Sequence, residues 1–373
     1  MRLLALVLAA VLAGACSRHP FEGFFTSGSR HLAAKQYAEA VLEFQNAVRV
    51  QPGSADAQMK LGEAYAGLGR PAHAAAAYQR ACELDPANTE ACVEAAAALL
   101  GIGQYDGAAA EARGVLARDR FNLDAQLILA SALTGSRRFS EAEERLQAAL
   151  AAAPEEARVY RALGDLQRTR GNWKAAEAAL RKAIALDPSS AAARVSLSQL
   201  YLEQGRTTEG ERELRAALAA EPEDVDANRV YGSYLVSTEH CADAEPFWKQ
   251  VALQSPDVSG TLELADYYVW SGRQDDAMRV LEAVPATRDG EGAARTRLAS
   301  LLYDRGEKTK ASAIVEELLQ QDRGNVTGLL LKSRMALDKQ DVAVAREYAH
   351  RAAQIAPSSP AVREMLARLQ AQP

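Results

Sequence analysis

Residues 157–188 read ARVYRALGDLQRTRGNWKAAEAALRKAIALDP. Two helical segments lie in this stretch, parted at Gly171 and ended by Pro188. In the second, Ala176, Leu180, Ala183 and Ile184 recur at the spacing that places one apolar stripe along a helix. Gly171 stands where the first helix stops, a place for a residue that takes the left-handed cap without steric cost. Pro188 has no N–H with which to continue the second helix. Gly164, directly after Leu163, is small where the two helices meet, and Ala176 supplies the matching concavity on the other side.

Outward from this stretch the pattern recurs. Pro52, Pro86, Pro154, Pro188, Pro222 and Pro256 are separated by 34, 68, 34, 34 and 34 residues, and the missing beat falls on Arg120. Residues 55–88 carry Leu61-Gly62, Tyr65, Gly69, Ala74, Tyr78, Ala81 and Pro86; residues 191–224 carry Leu197, Tyr201, Gly205, Leu214, Ala217 and Pro222. Gly69, Gly103, Gly171, Gly205, Gly272 and Gly306 mark the ends of first helices. A fixed period of 34 residues is the mark of a helix-turn-helix solenoid. Position for position, these residues resemble the tetratricopeptide repeat family. The resemblance implies an all-α, right-handed α-solenoid of ten repeats between residues 21 and 359. Seven keep the pattern well, over 21–257; three diverge, over 258–359; residues 360–373 form a C-terminal capping helix. Pro360 starts that helix, with Leu366 and Leu369 inward and Arg363, Glu364 and Arg368 outward, as an open-ended solenoid requires. The Gly- and charge-rich stretch 285–292, which follows an early Pro285, is the expected soft joint.

The N-terminus is an address. Arg2 precedes an unbroken apolar run from Leu3 to Leu12, too short to span a membrane and shaped like a signal peptide over residues 1–15. Leu12-Ala13-Gly14-Ala15-Cys16 resembles a bacterial lipobox. That resemblance implies cleavage before Cys16, its lipidation, and a tether over residues 16–20. Ser17 in the second mature position implies sorting to the outer membrane of a Gram-negative envelope, with the chain facing the periplasm. Ser17 to Pro20 reaches about 13 Å when extended, so Phe21 and Phe25 lie near the membrane interface or pack within the first repeat.

Catalytic signatures are missing. His19, His31, His73, His240 and His350 are scattered without metal-ligand spacing, and there is no GxSxG, HExxH or P-loop. Gly101-x-Gly103 with Gly107 falls at a repeat turn with no strand before it. The pairs Glu143-Glu144 and Asp275-Asp276 sit at second-helix starts, where carboxylates meet the helix dipole favourably. The expectation is a non-enzyme with no cofactor and no metal. A formal net charge of −6 argues against a nucleic-acid partner. Of the four cysteines, Cys82 and Cys92 both face the inter-repeat core. An oxidising periplasm permits a disulfide between them, and two buried small apolar residues are the alternative reading.

The family resemblance implies a concave wall built from first helices that grips protein partners. The positions that line it fall on Phe25, Met59, Val93, Leu127, Val195, Leu202, Val236, Leu262, Trp270 and Tyr303. Arg158, Arg161 and Arg168 add a basic patch around Asp165. The family's carboxylate-clamping lysines are absent from that wall, which suits an extended or helical partner segment. Trp270, Tyr303 and Tyr267 are the candidates for a weaker polysaccharide-binding reading. The expected function is a lipid-anchored protein-interaction scaffold. Within that class the chain resembles repeat lipoproteins of exopolysaccharide export and of the PEP-CTERM sorting system. The alternatives are a pilus or secretin assembly lipoprotein and a substrate-presenting subunit for a separately encoded glycosyltransferase or peptidase.

Overall fold

The computed structural model describes residues 20–255, 258–284, 291–357 and 359–371. The signal segment, Cys16, Ser17, Pro256, Pro285 and most of the 285–292 joint lie outside the described residues. Among the described residues every regular element is an α-helix. They form two compact units, residues 1–240 and 241–373. The first contains α1 (Pro20–Ala33), α2 (Tyr37–Val50), α3 (Ala55–Gly67), α4 (Pro71–Leu84), α5 (Thr89–Gly101), α6 (Tyr105–Arg118) and α7 (Leu123–Gly135). It continues through α8 (Phe139–Ala152), α9 (Ala157–Thr169), α10 (Trp173–Leu186), α11 (Ala191–Glu203), α12 (Thr207–Ala220) and α13 (Val225–Ser237). The second holds α14 (Cys241–Gln254), α15 (Ser259–Trp270), α16 (Gln274–Glu282), α17 (Glu291–Asp304), α18 (Lys308–Gln321), α19 (Val326–Asp338), α20 (Val342–Ile355) and α21 (Pro360–Gln370). Odd-numbered helices up to α19 are the first, or A, helices of their repeats, even-numbered ones the second, or B, helices, and α21 stands alone at the end. The units divide inside the seventh repeat, between α13 and α14.

Helix starts and stops follow from local chemistry. The side chains of Ser54, Asn88, Asn122, Ser190, Asp224 and Asn325 each accept a hydrogen bond from the backbone N–H three residues on, capping an A helix. Between repeats, Asp85, Asp119, Asp187 and Asp322 accept from the N–H two residues later. This turn explains the missing proline. At Arg120 the Asp119 carboxylate still holds the Phe121 N–H at 3.0 Å, so the loop closes without the ring.

The turn inside each repeat needs one left-handed residue. Gly69, Gly103, Gly171, Gly205, Gly272 and Gly306 all have φ between 73° and 90°. The other four repeats place Lys35, Arg137, Glu239 and Gln340 at the equivalent position, with φ between 56° and 63°. A side chain there costs about 1–2 kcal/mol.

Where the two helices of a repeat cross, both contribute small residues. On B helices Ala40, Ala74, Ala108, Ala142, Ala176, Ala244, Ala277, Ala311 and Ala345 are almost wholly buried, with Gly210 filling the remaining place. On A helices the residue at the matching repeat position is Gly28, Gly62, Ala96, Ala130, Gly164, Ser198, Ala265, Ala299 or Ser333. A methyl group on Gly164 would stand 2.4 Å from Leu180 Cγ, and one on Gly62 2.6 Å from the Tyr78 ring. Larger residues pack around these crossings, with Phe44, Leu99, Leu133, Leu166, Leu180 and Tyr201 among the fully buried side chains. In α21, Val362, Met365 and Leu369 are buried and Leu366 is half-buried, while Arg363, Glu364 and Arg368 face solvent.

A second set of contacts ties repeat to repeat. Glu143, Glu177, Glu211 and Glu245 lie 34 residues apart on successive B helices. Each receives donors from the following A helix or its turn. Gln167 and Arg170 reach Glu143 at 2.9 and 2.6 Å; the Tyr201 hydroxyl and Arg206 reach Glu177 at 3.0 and 2.8 Å. The Tyr231 and Tyr234 hydroxyls reach Glu211 at 3.3 and 3.2 Å, and the Tyr268 hydroxyl reaches Glu245 at 2.9 Å beside Arg273. Glu143 is therefore engaged by the next repeat and not by its own helix dipole. Hydrogen bonds from Arg273 and Lys249 bring the Glu245 carboxyl down to about 2, and Arg206 likewise lowers Glu177.

Replacing Arg137 or Glu239 by glycine is expected to raise stability by about 1 kcal/mol, and Gly171→Val to lower it by at least as much, measured by urea denaturation. The Glu245→Gln variant tests the ladder. A folded pKa below the ordinary carboxylate value stabilises the fold above that ordinary value, and the contribution is lost as pH falls toward about 2. The variant should unfold at lower urea than wild type at pH 7, with the gap closing between pH 5 and 2.5.

Candidate functional site

In the first unit successive A helices also pack on one another: α5 on α7, α7 on α9, α9 on α11 and α11 on α13. The A helices are therefore its inner row, and residues on their free face make its wall. That face is where partner-binding side chains were expected, and the structure sorts them into three groups.

Some are consumed by packing. Met59, at 8% exposure, belongs to the cluster of Phe44, Leu61 and Tyr65, and Val195 is only 6% exposed. In the second unit Tyr303 is 5% exposed, its hydroxyl donating to Asp338 of the next A helix. Burial and that carboxylate push the Tyr303 hydroxyl up to about 12. These three do not present a binding surface, because neighbouring A helices approach closely enough to enclose them. Tyr267 is buried as well, its hydroxyl donating to the Cys241 carbonyl at 2.6 Å, so it too drops out of a sugar-binding reading. Phe25 is half-buried, edge-on to Phe44 at 5.7 Å and stacked on Phe21 at 5.6 Å, which places both phenylalanines in first-repeat packing.

A second group keeps an open face. Val93, Leu127, Leu202 and Val236 are half-buried, as is Leu262 in the second unit. Leu202 lies over Gly210, where a methyl group would meet it at 2.8 Å. Leu127 lines a cleft of about 160 Å³ between α7 and α9 with Ser131, Thr134, Arg161, Ala162 and Asp165. Trp270 is 58% exposed, a large apolar side chain left in solvent.

The third group is the basic patch, which is neutralised by its own chain. Arg158 pairs with Asp124 at 2.8 Å and Glu156 at 3.0 Å, Arg161 with Asp165 at 3.5 Å, and Arg168 with Glu203. Two of these pairs cross one repeat length, so the arginines join adjacent A helices. Burial holds the Asp165 carboxyl above its usual range, against the opposing pull of Arg161, Ser196 and Arg168.

Cys82 and Cys92 are joined in a disulfide, with Cα atoms 4.8 Å apart. The bond links the last turn of α4 to the first turn of α5 among Val93, Val115 and Ala125. Cys241 is free. Among the described residues no cluster of His, Cys, Asp and Glu is arranged to hold a metal, and no helix is long and apolar enough to cross a membrane.

Glu63 is a wall position by repeat phase, and further carboxylates share the wall of repeats two to four. Asp56, Glu90 and Asp124 sit in the first turns of α3, α5 and α7, with Glu63 and Glu94 on the same helices. Their 34-residue spacing was visible, but a carboxylate in a first turn is so readily explained by the helix dipole that it draws no notice.

The division between packed and open residues predicts the outcome of truncation. Met59→Ala should cost about 2–3 kcal/mol, whereas Trp270→Ala should stay within about 0.5 kcal/mol. Thermal denaturation of the two variants checks both.

Comparison with known proteins gives repeat signatures in four stretches of the chain. One tetratricopeptide repeat profile matches residues 25–89, 134–191 and 296–360, and a second matches residues 168–233. Comparison with curated proteins gives no match. A tetratricopeptide repeat protein from Parabacteroides merdae is 14% identical and covers 69% of this chain and 99% of its own, with a TM-score of 0.53. A thermophilic TPR protein of Thermus thermophilus is 26% identical over 49% of this chain and 100% of its own, with a TM-score of 0.45. Pseudomonas aeruginosa pilF is 23% identical over 57% of this chain and 97% of its own, with a TM-score of 0.41. With helix pairs of this kind along the described chain and one profile matching half of it, the chain belongs to the tetratricopeptide repeat family.

Proposed function

We propose that this chain is a non-catalytic protein-interaction scaffold, held by lipid on Cys16 at the periplasmic face of an outer membrane, where it assists assembly of an exopolysaccharide export or secretion machine. Tetratricopeptide repeat proteins act as scaffolds for protein partners, and the matched profiles belong to no catalytic family. One observation carries the reading for this chain: the inner row of A helices keeps apolar side chains, Val93, Leu127 and Leu202, that pack on the core with one edge and stay partly exposed with the other. The envelope address rests on the Leu12–Cys16 motif, and the Cys82–Cys92 disulfide suits an oxidising compartment. Three acyl chains would hold the protein firmly where one binds only marginally. With a tether of about 13 Å, the first repeat would stand against the membrane.

The test is photo-crosslinking in the native envelope. Probes go at Leu127 and Leu202 on the inner wall, with a control at exposed Gln147 on the B helix α8. Adducts from the wall to one export or secretion protein are the expected result, and the identity of that protein separates export from pilus assembly. Adducts to many unrelated periplasmic proteins would point to a general holder instead. In parallel, Cys16→Ser should move the chain from the membrane fraction to the soluble one; continued membrane association would remove the lipid anchor from the proposal.

A further inference from the structure

The inner wall of the first unit is unevenly charged. In repeats five and six its arginines are satisfied: Arg161 by Asp165, Arg168 by Glu203, and Arg194 by Glu213. In repeats two to four the excess is acidic. Asp56, Glu63, Glu90, Glu94 and Asp124 face only Lys60, which pairs with Glu63 at 2.6 Å, and Arg158, which reaches across to Asp124 at 2.8 Å. Among the described residues no cation stands within ion-pair distance of Asp56, Glu90 or Glu94. The crowding is felt locally: burial, then Glu90, Glu63 and Asp124, hold the Glu94 carboxyl above its ordinary range.

Beside these carboxylates runs an apolar floor. Val93, Ala97 and Leu100 of α5 and Leu127 and Ile128 of α7 are half-buried. Exposed residues on the same row of A helices include the small Ala66, Gly101 and Ser131. The floor continues into the cleft at Leu127, Thr134 and Ala162. An apolar strip flanked by uncompensated carboxylates is complementary to one kind of surface. It repels nucleic acid, acidic polysaccharide and anionic lipid head groups, and it accepts a segment that is apolar on one side and cationic on the other.

We propose that the groove of repeats two to four binds a cationic amphipathic segment of a protein partner, its apolar side chains on Val93, Leu100 and Leu127 and its Lys or Arg side chains on Asp56, Glu90 and Glu94. This rests on the scaffold reading and adds the chemistry of the partner.

The test uses the whole chain from residue 16, with Cys16→Ser to keep it in solution. The probe is a fluorescent peptide of about 14 residues, roughly four helical turns, with Leu on one face and Lys on the other. Its Leu/Glu counterpart is the control. Fluorescence anisotropy should show saturable binding of the Leu/Lys peptide, weakened by salt, and none of the Leu/Glu peptide. Glu90→Lys/Glu94→Lys should raise Kd by about tenfold or more. Glu90→Gln/Glu94→Gln should raise it by a smaller factor. Glu221→Lys/Glu223→Lys changes net charge equally on an exposed loop between α12 and α13, and should leave Kd within about twofold. Circular dichroism melts establish that each variant is folded. Equal loss in both lysine pairs would reduce the effect to net charge and overturn the proposal, as would binding of the Leu/Glu peptide or failure of the Leu/Lys peptide to bind. Envelope adducts at Leu127 that persist unchanged in Glu90→Lys/Glu94→Lys would leave the scaffold function standing and remove the cationic segment.

Discussion

Everything in this molecule depends on close approach where the helices of a repeat cross, with a small residue on each helix. One comes from the A helix, as at Gly62, Gly164 or Ser198, and one from the B helix, as at Ala74, Ala176 or Gly210. Close approach of the backbones then lets medium-sized side chains, Tyr78 over Gly62 and Leu180 over Gly164, close the contact from the side. A methyl group at either glycine has nowhere to go. A pair packed in this way still exposes the outer flank of each helix, so it is stable only when the next pair covers it. Repetition is the consequence: the local crossing is satisfied within a repeat, and the remaining apolar surface is satisfied between repeats.

The second level of order is polar. Stacking alone would allow one repeat to turn against the next. The carboxylates at Glu143, Glu177, Glu211 and Glu245 restrict that freedom, since each must meet a tyrosine or glutamine and, in three cases, an arginine from the following repeat. The equivalent place in the third repeat is Ala109, buried against the fourth with no charge to satisfy. Repeats two to four are thus joined mainly by apolar packing and, at one point, by the Cys82–Cys92 bond. Among the described residues Asp56, Glu90 and Glu94 pair with no neighbouring repeat and remain on the wall, whereas Asp124 and Glu143 of the fourth repeat already reach the fifth.

These two levels differ in how well they could be read from the chain. Pairing within a repeat is local in sequence, so Gly171, Ala176 and Pro188 announce it directly, and the same signs serve for Gly69, Ala74 and Pro86. Lys35, Arg137, Glu239 and Gln340 were hidden, because a left-handed turn held by an ordinary residue looks like any helix interior until its φ is known. The wall was harder. A position in the repeat says which helix face a residue occupies, not how near the neighbouring helix stands. Met59 and Val195 share their position with Val93 and Leu127, and Tyr303 shares its position with Leu202 and Val236, yet all three are closed off by their neighbours. Arg158, Arg161 and Arg168 looked like a free basic patch because their partners, Asp124 and Glu203 among them, lie a whole repeat away.

That distinction also decides where specificity can reside. Residues that fix the crossing are common to the family and carry information about fold alone. Residues of the ladder are occupied by one another; changing them alters stability before it alters recognition. What remains for a partner to read is the outer edge of half-buried side chains, Val93, Leu100 and Leu127, whose inner edges pack on the core, together with the carboxylates Asp56, Glu90 and Glu94. The carboxylates are the members of this set that are inexpensive to change, since they are exposed and hold no core contact. The same array of helix pairs can therefore be redirected to another partner by altering a few wall positions, while the glycines and alanines beneath them stay as they are.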